Sequence, residues 1–244
     1  MKPFVRMPSQ WIMYPDQYNG GLTAFEWRGN DRSDNIAALM VYIAIVHHVN
    51  EVSIPQFSEP GCTKLPYSEL QEITGLSRKK ISGGLKILKA LSIITADTSG
   101  KTTVYKLVNN NFDQYWAKLP FQYLYSGRHI SFFNSCNLRK RVELDALKIY
   151  LLLVAFRDNN INHAAIAYPK MAIYTGIDRN RIRHALSLLV AHELISVDQI
   201  VQRASGDEGP RAVNYYRILG LSGVHFGNLD KERLQRHQED DVPF

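Results

Sequence analysis

The segment Tyr67–Ile94, YSELQEITGLSRKKISGGLKILKALSII, returns without a gap as Tyr168–Ile195, YPKMAIYTGIDRNRIRHALSLLVAHELI. Tyr67/Tyr168, Thr74/Thr175, Gly75/Gly176, Arg78/Arg179, Ile81/Ile182, Leu85/Leu186, Leu88/Leu189, Ala90/Ala191 and Ile94/Ile195 coincide. Upstream, ALMVYIAIV (Ala38–Val46) is answered by ALKIYLLLV (Ala146–Val154), and RMPSQWI (Arg6–Ile12) by KLPFQYL (Lys118–Leu124). A solenoid repeat has a period of roughly 20–50 residues. The period here is that of a small domain, so the chain must fold one unit twice. The expected boundaries are 1–115 and 116–220, followed by a polar tail, 221–244.

With 244 residues, 45% of them hydrophobic, there is enough apolar material for two ordinary cores. No apolar run reaches the roughly 18 residues of a membrane span. The N-terminal MKPFVRMPSQW lacks the apolar stretch of a secretion signal. Cys62 and Cys136 lie in different halves without a CxxC partner, a pattern that predicts free thiols in a reducing compartment. A cytoplasmic protein with no membrane contact is expected. The net charge of +6 is uneven. Residues 1–115 carry 12 basic and 10 acidic groups, residues 116–220 carry 14 and 8, and the tail carries 3 and 5. The second copy is the basic one, and a basic domain points to a polyanion where its charge gathers on one face.

Each copy reads as the same series. In the first, a Gly/Asn/Asp-rich loop (Tyr18–Asn35) precedes an apolar helix from about Asp34, its expected N-cap, to Val49. The proline-bearing stretch Glu51–Pro66 reads as a loop. A short helix then runs from about Tyr67 to the stop at Gly75, and a third helix follows Ser77 from Arg78 to about Leu91. Ile81, Leu85 and Leu88 form its i, i+4, i+7 buried stripe. The turn Asp97–Lys101 and the alternation in Thr102–Val108 predict a β-hairpin. The second copy predicts a helix at Asp145–Asp158, a short helix after Pro169, Asp178 as N-cap and a third helix, Arg179–His192. A hairpin of Leu194–Arg203 and Arg211–Leu219 closes the copy.

The turn sequences TGLSRKKI and TGIDRNRI, each followed by a hairpin, resemble the turn and third-helix entry of winged helix-turn-helix proteins. The implied fold is α+β: two tandem winged-helix domains made by internal duplication, mostly helical with β-hairpin wings. In layout alone, the extended lead-in before each first helix is similar to the two-domain replication initiators of plasmids.

In winged-helix proteins the third helix enters the major groove and its outward side chains meet base edges. The outward positions are Arg78, Lys79, Ser82, Gly83, Lys86 and Lys89 in copy one, and Arg179, Asn180, Arg183, His184 and Ser187 in copy two. Neither Arg78–Leu91 nor Arg179–Ala191 contains an acid, whereas a merely solvated helix usually interleaves Glu with Lys. Arg and Lys suit guanine O6/N7 and Asn suits adenine. Copy two is therefore the expected base reader and the tighter binder, and copy one, richer in Lys, suits phosphate. Lys101 in the first wing and Arg203 and Arg211 in the second are candidate phosphate or minor-groove contacts. Arg139-Lys140-Arg141 is either a phosphate clamp or a soluble first turn. Gly83 and Gly84 serve either a tight helix contact or, at Gly83, close approach to DNA.

No phosphate loop, HExxH, GxSxG or CxxC occurs, so no enzyme, cofactor or metal is expected. His47-His48 and the 13 tyrosines read as packing residues. The linker aromatics Trp116, Phe121, Tyr123 and Tyr125 are expected at the second domain's edge or between the domains. The expected function is sequence-specific binding of double-stranded DNA, as a transcription regulator or a plasmid or phage replication initiator. The alternative is a winged-helix scaffold for protein–protein contact in a chromosome-associated complex. The expected further partners are a second copy, or a replication or transcription protein docked on the tail ending EDDVPF.

Overall fold

Apolar residues on every side of Ile36–Val46 dictate a helix with no solvent face. In the computed structural model, which describes residues 2–29, 31–52, 59–108, 112, 114–202 and 211–222 (without the side chains of 200–202 and 211–213), that helix is central. The elements run β1 (Phe4–Pro8), α1 (Gln10–Met13), α2 (Arg32–His48), β2 (Cys62–Lys64), α3 (Tyr67–Thr74), α4 (Arg78–Ala90), β3 (Ile94–Asp97) and β4 (Val104–Leu107). Then come β5 (Trp116–Pro120), β6 (Tyr125–Ser126), β7 (His129–Ile130), α5 (Ser131–Asn134), α6 (Arg141–Phe156), β8 (His163–Ala165), α7 (Tyr168–Thr175), α8 (Arg179–Ala191), β9 (Ile195–Gln202) and β10 (Arg211–Ile218). The chain is α+β, with small antiparallel sheets.

Residues 35–47 of α2 and 143–155 of α6 are all buried, and the two helices pack on each other. α4 covers α2, and α8 covers α6. The inward stripes are Ile81, Gly84, Leu85 and Leu88 on α4, and Ile182, Ala185, Leu186 and Leu189 on α8. Each large aliphatic so buried contributes about 1.5–3 kcal/mol. One apolar cluster runs through both halves.

The expected starts of the two central helices shift. α2 begins at Arg32 behind Asp31. Asp34 lies inside its first turn, where its carboxylate takes the Lys80 ammonium at 2.6 Å. α6 begins four residues before Asp145, because the Glu143 carboxylate accepts the backbone N–H groups of Asn137 and Lys140 (3.0 and 3.4 Å). Asp145 pairs instead with Arg181 at 2.8 Å. Asp178 occupies the N-cap of α8 without a side-chain capping bond; its carboxylate is drawn to Arg181 at 3.2 Å.

Part of the expected loop Glu51–Pro66 is the strand β2. The Asn50 side chain gathers it, accepting from the Cys62 N–H (2.8 Å) and donating to the Glu59 carbonyl (3.3 Å). β2 then joins the hairpin in the order β2-β4-β3, and the second half repeats the pattern as β8-β10-β9. The first hairpin is short, with Ile94 opposite Leu107 and Asp97 opposite Val104. The second has eight-residue strands, from Ile195 opposite Ile218 to Gln202 opposite Arg211.

β1 and β5 pair antiparallel with Arg6 opposite Lys118, Phe4 opposite Pro120 and Pro8 opposite Trp116. Arg6 and Lys118 are equivalent positions of the two copies, as are Pro8 and Pro120. Each lead-in strand therefore pairs with its own counterpart, about a local two-fold axis. Contacts elsewhere are also reciprocal. A Cβ on Gly75 would lie 3.8 Å from Asn134 Oδ1, and one on Gly176 would lie 3.7 Å from Thr23 Cβ. The turn of each repeat thus rests on the lead-in of the other. Phe121 and Tyr125 pack on His47 of α2, with ring centroids 5.0 and 5.5 Å away, so these two linker aromatics lie between the halves, whereas the Tyr123 hydroxyl donates to the Glu193 carbonyl of the second half at 3.0 Å.

Candidate nucleic-acid interface

The shared Thr-Gly-(Leu/Ile) sequence builds the turn that aims each third helix. Gly75 and Gly176 end α3 and α7 in the left-handed region, at φ 69° and 67°, where a side chain is strained. The Thr74 hydroxyl donates to the Leu70 carbonyl (2.5 Å) and accepts from the Leu76 N–H (3.2 Å). Thr175 repeats both bonds, to Met171 (2.6 Å) and from Ile177 (3.3 Å). Leu76 and Ile177 are buried beneath. Ser77 then caps α4, its hydroxyl accepting from the Lys80 N–H.

Burying the inward stripes fixes what faces out. Arg78, Lys79, Ser82, Lys86 and Lys89 are all exposed on α4, and Arg179, Asn180, Arg183, His184 and Ser187 are all exposed on α8. Arg78 leans back to Gln71 Oε1 at 3.4 Å; the rest of each set forms one face of its helix. Lys101 is exposed in the turn after β3. Arg203 and the side chain of Arg211 lie outside the described residues, as does the tail from 223 on.

Lys80 and Arg181, equivalent in the two copies, do not join those faces. Each turns inward and ties its helix to the helix beneath, Lys80 to Asp34 and Ser33 (both 2.6 Å) and Arg181 to Asp145. Gly83 belongs to the same seam: a Cβ there would collide with the Asp34 carboxylate, and one on Gly84 would meet Ala38 N at 2.8 Å and Ala37 C at 2.9 Å. Both glycines serve helix packing. Gly83 does not open the backbone to an external partner.

His47 is buried, with Nε2 2.9 Å from the Pro120 carbonyl and Nδ1 3.2 Å from the Tyr125 hydroxyl. Burial lowers its pKa to about 3, helped by the neighbouring His48, so the ring is neutral at ordinary pH. Tyr216 is buried on the second hairpin.

Arg141, from the candidate clamp Arg139-Lys140-Arg141, belongs to a charged cluster between the halves whose other members were not among the expected site residues. Arg141, Asp145 and Lys148 follow one another along one face of α6, opposite Phe25–Arg28 of the first lead-in and Arg181 of α8. Lys148 is 4% exposed, and its ammonium donates to the Phe25 carbonyl at 3.0 Å. Burial pushes the Lys148 pKa down to about 8, against the pull of Asp145. Burial also raises the Asp145 carboxyl, opposed by Arg181, Lys148 and Arg141. The signal was present as a charged i, i+4, i+7 row (141, 145, 148) inside an otherwise apolar helix.

No protein-family model and no curated protein sequence matches this chain. Among the described residues, no helix is long and apolar enough to cross a membrane.

Proposed function

We propose that the chain is a pair of tandem winged-helix domains, 1–115 and 116–220, that binds duplex DNA sequence-specifically in the cytoplasm. It would act as a regulator of transcription or as a replication initiator of a plasmid- or phage-type element. The observation that carries this reading is the pair of acid-free, cation-bearing outer faces of α4 and α8. The two are equivalent helices, each aimed by the same Thr-Gly turn and each followed by an antiparallel hairpin. Such a face suits a groove lined by phosphates. Arg183 and Asn180 offer bidentate donors for base edges, and Lys86 and Lys89 offer charge.

A second reading, protein–protein contact, is favoured by one feature. Val190 and Val197, 43% and 42% exposed, line an apolar groove between α8 and the second hairpin together with Leu186 and Tyr216.

Selection of bound duplexes from a random pool, with the full chain at about 0.15 M salt, tests the first reading. An enriched motif is the expected result. Recovery of no motif would remove sequence-specific DNA binding and leave the scaffold reading.

A further inference from the structure

The charged cluster between the halves lines a cavity of about 390 Å³, within the size range of small-molecule sites. Its charges do not cancel. Among the lining residues four cations, Arg28, Arg141, Lys148 and Arg181, meet two carboxylates, Glu26 and Asp145. Arg181 is held by Asp145 at 2.8 Å and, from outside the cavity, by Asp178 at 3.2 Å, and Arg28 by Glu26 at 3.4 Å. Arg141 has no carboxylate within ion-pair distance among the described residues. Lys148 uses one of its three donors on the Phe25 carbonyl, its only hydrogen bond among the described residues. Two cations, one of them almost wholly buried, are left facing the cavity. A buried ammonium so poorly partnered is costly.

The fold does not require it. In the first copy the positions of Arg141, Asp145 and Lys148 are held by Ser33, Ala37 and Met40. There the same face of the equivalent helix packs with Ala37 and Met40 buried. The internal repeat thus serves as a control, showing the same scaffold built without the charges. Trp27 also lines the cavity, with the Arg32 guanidinium 5.7 Å from its ring.

We propose that this cavity binds a small phosphorylated ligand of the nucleoside monophosphate class, with Arg141 and Lys148 on the phosphate and Trp27 beside the base. The chemistry follows from the lining. The surplus of two cations matches a dianion, a guanidinium and an ammonium are the usual phosphate donors, and an indole favours a flat ring. The walls come from both copies, Phe25–Arg28 from one and α6 and α8 from the other, so the ligand binds only the assembled chain and stabilises it. The inference is independent of DNA binding, since its readout needs no DNA.

The full chain is titrated with inorganic phosphate, adenosine monophosphate and adenosine at constant ionic strength, following the melting temperature and tryptophan emission. The monophosphate is expected to raise the melting temperature by several degrees at about 100 times its dissociation constant. Phosphate should act more weakly and adenosine not at all. Arg141→Ser and Lys148→Met, which install the first copy's residues, should each weaken the response at least about tenfold, a loss of about 1.4 kcal/mol. Should Lys148→Met fail to fold, Arg141→Ser, at an exposed position, still decides. Three results would overturn the proposal: no response to either phosphate compound, adenosine acting as well as its monophosphate, or an undiminished response in the variants. A response to a short duplex but not to the monophosphate would also overturn it, moving the contact to the DNA backbone.

Discussion

Under the proposed DNA reading, individual side chains on α4 and α8 have separable effects. Arg183→Ala or Asn180→Ala should relax preference at one base position, costing about 1–3 kcal/mol for a bidentate contact. Lys86→Ala or Lys89→Ala should weaken binding to every sequence and flatten the salt dependence, by about one unit of slope for each phosphate left without its lysine. Competition titrations with cognate and scrambled duplexes separate the two patterns; an Arg183→Ala protein with unaltered affinity and preference would remove α8 as the base reader. A second residue-scale prediction concerns folding alone. Gly84→Ala forces a methyl against the backbone of Ala37 and Ala38 and should destabilise by about 1–3 kcal/mol in urea unfolding. It should do so although alanine is the better helix former by about 1 kcal/mol. A variant as stable as the parent would show that α2 and α4 can separate at no cost. The sequence left the two glycines' role undecided, because helical position alone does not say which neighbour stands opposite.

At the scale of elements, α6 shows where sequence reading succeeded and where it stopped. The inward stripes of α4 and α8 and the existence of both hairpins were legible, because they rest on local periodicity and turn chemistry. β2 and β8 were not, since three residues have no readable period and these strands exist only by pairing with β4 and β10. The outward candidates on both third helices, Gly83 excepted, were legible for the same reason as the stripes. The inward turn of Lys80 and Arg181 was not, because it depends on a carboxylate from another helix. The charges within α6 also make a pH prediction. Burial lowers the Lys148 pKa from its ordinary 10.5 to about 8, so between those values the unfolded chain holds more protons than the folded one. This group's contribution to stability therefore rises as pH climbs from about 8 toward 10.5, and below 8 its burial costs about 3 kcal/mol. Asp145, Arg181, Arg141 and Glu26 face the ammonium, and the attraction of Asp145 and Glu26 is already contained in that net cost. Lys148→Met should raise stability at neutral pH and flatten the rise. Urea unfolding on either side of pH 8 checks this, and an unchanged slope in the variant would rule out Lys148 as its source.

At the scale of the whole molecule, the β1–β5 pairing and the shared apolar cluster tie the halves together. A cut between residues 115 and 116 would strip each lead-in strand of its partner, so the division of labour between the copies is best tested by substitutions in the full chain. Under the proposed DNA reading, two equivalent third helices with different outward residues, in a chain whose lead-in strands pair about a local two-fold, predict a bipartite target: two unlike half-sites in opposed orientation, separated by about one helical turn or a multiple of it. Inserting about 5 base pairs between the half-sites of a selected duplex should abolish tight binding, and inserting about 10 should restore part of it. Equal binding to all spacings would show that only one helix engages.

The self-pairing of the lead-in strand has a consequence of descent. A strand that meets its own counterpart, residue for residue, is what a single-repeat chain uses to make a symmetric homodimer. In such a dimer every substitution is made twice, and a charge buried on one side is buried on the other. Joining the two protomers in one chain lifts that constraint. One side can keep Ala37 and Met40 as plain packing while the other accepts Asp145 and Lys148, so asymmetry can enter through a single burial and the symmetric frame need not change.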